Sequence, residues 1–245
     1  MRKILFISLL FIPSLFGQKP TADEILKKVD ENMVMDEAIT RTKMVIHGRT
    51  RSRTITAKSW VQGEENALVE YLSPPREQGK KMLKSEDKIW IYTPEPTDRI
   101  ITISGHLLRQ SVMGSDLSYE DITDNSSLIE NYVATLLDDE TIMNRACWVM
   151  ELVATTEDIA YYKRKIWIDK ERYLPLREER YAKGGKLLKT TKITEAFRQD
   201  GHWVPKQMIF KDELSKGKGT EYIIESIDFN VDIPEYYFTK AGLKR

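Results

Sequence analysis

The chain has 245 residues, a formal net charge of zero and a single cysteine, Cys147. Apolar residues make up 41% of the sequence and charged residues 31%, a balance typical of folded globular proteins rather than disordered ones. The neutral charge excludes the broad basic surface of a general nucleic-acid binder. A lone cysteine excludes an intramolecular disulfide, so we expect a buried thiol and a core held by packing.

The first 17 residues have the pattern of a secretory signal peptide. Arg2 and Lys3 form a short basic region, Ile4–Phe16 is apolar, and Gly17 supplies a small residue at the cleavage point. We therefore expect export to the periplasm, cleavage near Gly17 and one mature domain spanning residues 18–245. No cysteine follows the cleavage point, so we expect no lipid anchor.

The mature chain opens with a helix signal. Thr21 and Glu24 have the spacing of a capping box, and Ile25, Leu26 and Val29 follow at helical spacing. We expect an amphipathic helix over Thr21–Met33 that docks on a sheet.

Strand patterns and hairpin signals then dominate the sequence. The pairs Gly184-Gly185 and Asp200-Gly201 and the run 215–219 are typical of tight turns, and no helix-length pattern occurs between Tyr161 and Phe229. We expect an antiparallel meander in which Trp167–Arg177 forms a hairpin turning at Asp169–Arg172. The apolar run Thr141–Thr155 predicts one long strand, and Ile233–Phe238 predicts a loop that folds aromatic side chains back.

The stretch Tyr71–Asp121 combines short strands with a segment of different character. After Ile100–Ile103, Leu107, Leu108 and Val112 recur at helical spacing, and a second capping signature follows at Ser118-Tyr119-Glu120-Asp121. Two glycines, at positions 105 and 114, bracket the apolar part. The pattern predicts a helical flap over Gly105–Thr123 that covers the sheet.

Motifs in this stretch resemble the outer-membrane lipoprotein-sorting protein family, relatives of the periplasmic lipoprotein carrier LolA. The motifs, in order, are Ser73-Pro74-Pro75-Arg76, Gly79-Lys80, Trp90-x-Tyr92-x-Pro94, Arg99, Met113-Gly114-Ser115-Asp116 and Tyr119-Glu120-Asp121, with Trp167-Ile168-Asp169 and Leu174-Pro175-Leu176-Arg177 later in the chain. The resemblance implies a mainly β, α+β fold: a single curved antiparallel sheet forming a half-open β-barrel, its concave face covered by the N-terminal helix and the flap.

The resemblance also implies a non-enzymatic monomer that needs no cofactor. Its expected cargo is a lipid or a lipoprotein, passed from an inner-membrane transporter to an outer-membrane acceptor. Flexible methionine and flat aromatic side chains suit a cavity that opens around acyl chains. The residues predicted for the cavity and lid are Trp60, Tyr71, Met82, Trp90, Tyr92, Leu107, Leu108, Val112 and Met113. Plain core packing is the competing interpretation of this set.

Arginine side chains give candidates for contacts with an anionic headgroup or an acidic partner. Arg49, Arg51 and Arg53 alternate with hydroxyl residues, and Arg99 belongs to the family-like motifs. A solvated strand face or a guarded sheet edge explains the alternating arginines as well.

The sequence offers few candidates for catalytic chemistry. Its three histidines lie far apart with no metal-ligand spacing, and Gly114-Ser115-Asp116 lacks the second glycine of a nucleophile elbow. Asp116, Glu120 and Asp121 could form an acid–base pair, although carboxylates at the start of a short helix explain them more simply.

Three hypotheses follow from the sequence. The first is a periplasmic carrier that shields acyl chains in a cavity under the flap. The second is an envelope module that binds a partner protein, such as a transporter, and carries nothing. The third is a secreted hydrolase.

Overall fold

The structure, a computed structural model, describes residues 19–34, 36–85 and 88–245. The expected signal peptide, residues 1–17, lies outside this part of the chain. Within it, no helix is long and apolar enough to span a bilayer.

Fourteen described strands join in one continuous antiparallel sheet that curves but does not close. Their order across the sheet is β6-β5-β4-β3-β2-β1-β14-β13-β12-β11-β10-β9-β7, with β8 paired to β9. The strands are β1 (Glu37–His47), β2 (Ser52–Gln62), β3 (Asn66–Ser73), β4 (Lys81–Ser85), β5 (Lys88–Thr93), β6 (Arg99–Ile103), β7 (Tyr132–Leu136), β8 (Glu140–Ile142), β9 (Arg145–Ala154), β10 (Lys163–Asp169), β11 (Pro175–Tyr181), β12 (Leu187–Gln199), β13 (His202–Asp212) and β14 (Thr220–Phe229). The mainly β fold with an open, curved sheet is therefore confirmed.

The helical elements are short except for the first. The α-helices are α1 (Ala22–Met33), α2 (Tyr119–Thr123) and α3 (Leu128–Asn131), and the 3-10 helices are Gly105–Arg109, Val112–Gly114, Glu235–Phe238 and Gly242–Lys244. The predicted capping boxes are present: Thr21 with Glu24 begins α1, and Ser118 with Asp121 begins α2.

The hairpins follow the turn residues of the sequence. Strands β10 and β11 pair so that Ile168 faces Pro175, which confirms the hairpin over Trp167–Arg177. Pro175 is the first residue of its strand, where a missing N–H is tolerated. Asp200 and Gly201 adopt φ of 48° and 90°, which a tight hairpin between β12 and β13 requires.

One predicted strand needs correction, and the predicted helical flap consists of several short pieces. The run Thr141–Thr155 is not one strand, because Met143 and Asn144 adopt φ of 49° and 60° and turn the chain between β8 and β9. The predicted helical flap over Gly105–Thr123 consists of two 3-10 turns and the five-residue α2, which begins after Ser118 as its capping signature predicts. A left-handed Met113, with φ of 52°, breaks the helical path there.

The sheet has two covered faces, which strand alternation separates. The inner face carries Val69, Met82 and Ile166, and lies under α1, α3 and the flap. The outer face carries Trp60, Leu83 and other large side chains, and its β2–β5 part lies under the last residues of the chain. Cys147 is fully buried, as predicted, in a separate outer-face cluster.

Candidate functional site

A central cavity of about 280 Å³ lies between the inner face of the sheet, α1 and the flap. Apolar side chains from all three parts line it, among them Val29 of α1, Val69 of β3, Ile122 of α2 and Phe210 of β13. Cavities with a mostly apolar lining and a few placed polar groups are the usual form of small-molecule sites. The inner face is therefore the candidate site.

Helix α1 closes one side of the cavity because its apolar stripe is completely buried. Ile25, Leu26 and Val29 have no exposed surface and pack against inner-face residues such as Ile166. Asp30, next to this stripe, accepts hydrogen bonds from the Ser127 hydroxyl at 2.7 Å and from the backbone N–H groups of residues 128 and 129 at 3.0 and 3.1 Å. Asp30 therefore joins α1 to the start of α3.

The flap is anchored on the sheet at two carboxylates. The first is Asp116, which accepts hydrogen bonds from the Thr220 hydroxyl at 2.7 Å and the Asp212 N–H at 2.9 Å. Thr220 is completely buried and Asp116 is 7% exposed. This carboxylate therefore fixes the middle of the flap to the junction of β13 and β14.

The second anchor is Asp121 of α2, which lies among cations of the sheet. One carboxylate oxygen accepts from the Tyr161 hydroxyl at 2.7 Å and from Arg180 Nη1 at 2.9 Å, and the other accepts from Lys189 Nζ. That second oxygen also accepts from the Ser118 N–H at 2.7 Å, which completes the capping box. The Asp121 side chain is only 2% exposed.

Further charges extend this group into a buried polar cluster. Arg164 Nη1 lies 3.2 Å from Glu178, which in turn accepts from Arg180 Nη2 at 2.8 Å. Asp124, the residue that ends α2, lies 3.6 Å from Arg164 Nη2. We call Asp121, Asp124, Arg164, Glu178, Arg180 and Lys189 the polar cluster.

The cations of the polar cluster keep its carboxylates ionised. Burial by itself would raise the pKa of Asp121, but Arg180 and Lys189 outweigh it and hold that pKa well below its usual range. Burial likewise opposes ionisation of Glu178, and Arg180 and Arg164 together lower its pKa. Asp121 and Glu178 therefore act as fixed counter-ions of the arginine and lysine side chains.

The structure places six predicted residues of the cavity and lid on the inner side of the sheet or in the flap above it. Tyr71, Met82, Val112 and Met113 line a second space of about 330 Å³, which we call the flap pocket. Leu108 lines a third space of about 360 Å³, which we call the side pocket. Leu107 also packs in the flap, against the inner-face core.

Trp60, Trp90 and Tyr92 lie elsewhere, so their assignment to the cavity needs correction. All three lie on the outer face with Leu83, packed under Ile233, Phe238 and Leu243 of the C-terminal segment. The Trp60 and Tyr237 rings lie 5.1 Å apart. Successive side chains of a strand point to opposite faces, so Ile89 and Ile91 face inward while Trp90 and Tyr92 face outward.

The predicted arginines fall in two places. Arg49, Arg51 and Arg53 are exposed at and just after the turn between β1 and β2, and Arg99 is exposed at the start of β6. Of these, Arg53 also lines the flap pocket, and its guanidinium donates to the carbonyl oxygen of Met113. Arg53 is therefore a third contact between the sheet and the flap.

The prediction missed the cations of the polar cluster. Arg164 shares its strand face with Ile166 and Ile168, so the alternation of β10 placed a charge among core residues. In β11 the run Arg177-Glu178-Glu179-Arg180 is charged on both faces, so its sequence does not indicate which residues point inward. The register with β10 determines which residues of β11 point inward, because Glu178 pairs with Ile166 and Arg180 pairs with Arg164.

Together the fold and the site define a class of protein: an open, single-sheet β protein whose inner face encloses cavities beneath a helix and an anchored flap. A family model described as "uncharacterized protein" matches residues 63–245, which is more than half of the chain. A comparison with curated proteins gives no match.

Solved structures extend the comparison over most of the chain. An outer membrane lipoprotein-sorting protein domain from Vibrio parahaemolyticus is 28% identical, with 91% of this chain and 98% of that chain covered and a TM-score of 0.78. A DUF1329 family protein from Desulfovibrio piger is 23% identical, with 91% and 97% covered and a TM-score of 0.83. A LolA superfamily protein from Nitrosomonas europaea is 24% identical, with 91% and 99% covered and a TM-score of 0.76. The chain belongs to the family of uncharacterized proteins that the matching family model describes, and it shares its fold with the lipoprotein-sorting domain and the LolA superfamily protein.

Proposed function

We propose that this protein is a non-enzymatic periplasmic carrier that shields the acyl chains of a lipid or lipoprotein in the space between its sheet and its flap. The observation that carries the proposal is the central cavity, which is lined by apolar side chains and bounded by the separately anchored α1 and flap. The flap pocket and the side pocket provide further space under the same cover.

Energetics explain why such a cover is needed. Each CH₂ group removed from water contributes about 0.8 kcal/mol, so a long acyl chain does not leave a membrane unless a protein surface replaces the bilayer. The name of the Vibrio parahaemolyticus relative, a lipoprotein-sorting domain, supports this class of cargo. We further propose that the residues before Gln18 are a signal peptide that directs the chain to the periplasm.

The test is native mass spectrometry of protein purified from an exporting host, with the bound molecules extracted and identified. We expect co-purified lipid in the wild-type protein. Val69→Phe should reduce the bound lipid several-fold, because Val69 is an inner-face residue of the central cavity and a phenyl ring would occupy that space.

Val133→Phe is the matched control, since it makes the same change on β7 at a side chain that is 66% exposed. Equal lipid content in the two variants would contradict a carrier function for the central cavity. Lipid-free wild-type protein that retains a specific envelope partner would favour the binding-module hypothesis instead.

A further inference from the structure

The polar cluster lies where two of the cavities meet. Asp121, Asp124 and Arg164 line both the central cavity and the side pocket, and Glu178 and Arg180 line the central cavity. The central cavity, whose lining is mostly apolar, therefore has one strongly charged wall. Carrying an acyl chain does not by itself require such a wall.

The charges of the polar cluster divide unequally between sheet and flap. The sheet supplies three cations, Arg164, Arg180 and Lys189, and one carboxylate, Glu178. The other two carboxylates, Asp121 and Asp124, belong to α2 or end it. The cluster is neutral only while α2 lies on the sheet.

Lifting α2 would leave two uncompensated positive charges on the inner face. The side chains of Arg164 and Arg180 are only 8% and 12% exposed beneath the closed flap, and the carboxylate of Glu178 is the one anion of the sheet that the two share. An unpaired charge in such surroundings is strongly destabilising. Opening of the flap at α2 therefore costs less free energy when another anion takes the place of the two carboxylates.

Two donor atoms beside these charges have hydrogen-bonding capacity left over. Among the described residues, the buried side-chain atoms without a hydrogen-bond partner are the donors Arg180 Nε and Thr191 Oγ1, the acceptor Glu178 Oε1, which is ion-paired with Arg164, and Arg177 Nε. Thr191 pairs with Glu178 across β11 and β12, so it lies on the same face as the cluster. The closed state thus leaves donors free on the charged wall.

We propose that Arg164, Arg180 and Lys189 form a subsite for an acidic oxyanion headgroup, a phosphate or a carboxylate, and that the α2 carboxylates occupy this subsite until cargo replaces them. Asp121 marks where the oxyanion binds, because Tyr161, Arg180 and Lys189 already donate to a carboxylate there. Arginine and lysine donors bind phosphate and carboxylate oxygens by charge-assisted hydrogen bonds. The inference rests on the proposed carrier function and adds to it a headgroup class and a coupling between headgroup binding and release of the flap.

Binding of three probes to delipidated protein tests the inference: hexadecyl phosphate, hexadecanol and inorganic phosphate, measured by calorimetry. The first two share one alkyl chain and differ in the headgroup. We expect the wild-type protein to bind hexadecyl phosphate at least about tenfold more tightly than hexadecanol, which corresponds to one favourable charged contact. Inorganic phosphate should bind far more weakly than hexadecyl phosphate.

The variants separate the subsite from general loosening of the flap. Lys189→Gln should weaken binding of hexadecyl phosphate about tenfold and leave hexadecanol unchanged. Asp121→Asn should strengthen binding of hexadecyl phosphate selectively, because it removes the competing carboxylate. Asp116→Asn is the control: it weakens the other flap anchor, so any gain should be equal for both amphiphiles.

The outcomes distinguish the two proposals. If the wild-type protein binds neither amphiphile, both the carrier function and the subsite fail. If it binds both equally and Lys189→Gln changes nothing, the carrier function stands and the subsite fails. Inorganic phosphate bound as tightly as hexadecyl phosphate would also overturn the headgroup subsite. Circular dichroism checks folding, and Lys189→Gln decides the question if Asp121→Asn does not fold.

Discussion

At the scale of single residues, the stability of the closed flap depends on charged side chains on the inner face of the sheet. Asp121 belongs to a five-residue helix yet contacts Tyr161, Arg180 and Lys189 on three different parts of the chain. A surface ion pair contributes little, but truncating one partner of a buried pair leaves an uncompensated charge. The stability of the closed flap is therefore sensitive to this one carboxylate.

Asp121→Asn should lower the free energy of unfolding by about 3–5 kcal/mol at neutral pH, because Arg180 and Lys189 lose their counter-ion. Folding lowers the pKa of Asp121, so its contribution is complete above the pKa of an unfolded aspartate, about 3.9, and declines as the pH falls through the lower folded value. Denaturant titrations between about pH 6 and pH 3 should therefore show a smaller loss of stability in the variant than in the wild type.

Glu157→Gln provides the control for that titration. Glu157 pairs with Lys183, but their side chains are 87% and 70% exposed, so its removal should leave the unfolding midpoint nearly unchanged. If the two variants show the same pH dependence, Asp121 is not the carboxylate that responds to acid.

At the scale of elements, the flap combines rigid anchors with residues that cover open space. Val112 is 1% exposed, and its N–H donates to the Leu117 carbonyl oxygen at 2.8 Å. Leu108 and Met113, on either side of it, are half-buried and face the side pocket and the flap pocket. Val112 and Met113 both line the flap pocket, but only Val112 is fully buried, so one short segment contains positions of different burial.

Substitutions by glutamate should separate these two roles. Leu108→Glu and Met113→Glu should leave the domain folded and reduce bound lipid several-fold, because each replaces a half-buried apolar side chain of a pocket wall by a carboxylate. Val112→Glu should destabilise the protein by several kcal/mol, because its carboxylate would be buried without a partner. Thermal unfolding and extracted lipid are measured for all three variants.

Two results would count against this division of the flap. Loss of folding in Leu108→Glu and Met113→Glu would show that the flap is core throughout. Undiminished lipid in these two folded variants would show that the flap does not close the cavities.

At the scale of the whole molecule, one sheet serves two purposes because each face has a different cover. The inner face keeps space under α1 and the flap, while the β2–β5 part of the outer face is filled by the C-terminal segment. Ile233, Phe238 and Leu243 of that segment are 3%, 8% and 0% exposed. The outer cluster should thus supply stability that cargo binding does not disturb.

Phe238→Ala should lower the free energy of unfolding by about 3–5 kcal/mol, the usual range for truncating a buried phenylalanine, without changing the bound lipid. Tyr236→Ala, two residues away and 42% exposed, should cost much less. Denaturant unfolding and lipid extraction check both expectations. A loss of lipid in folded Phe238→Ala protein would contradict the separation of the two faces.

The sequence by itself determined those features whose cause is local. The capping boxes at Thr21 and Ser118 and the hairpins after Asp169 and Asp200 depend on residues within a few positions of one another, so each was predicted correctly. The ends of individual strands have weaker local signals. The turn at Met143-Asn144 interrupts an apolar run without a glycine or proline to mark it.

Only the tertiary structure decided which side of each strand faces the cavity. Trp90 and Ile91 point to opposite faces of β5, but the strand pattern alone does not say which face is the inner one. The C-terminal segment, more than a hundred residues later, packs on the Trp90 side and makes it the outer face. The polar cluster likewise depends on contacts between distant parts of the chain. Arg164, Arg180 and Lys189 come together through the registers of β10, β11 and β12, and the flap adds Asp121 from a distant part of the chain. Such pairings are set by cross-strand hydrogen bonds and long-range packing, so no single segment of sequence contains them.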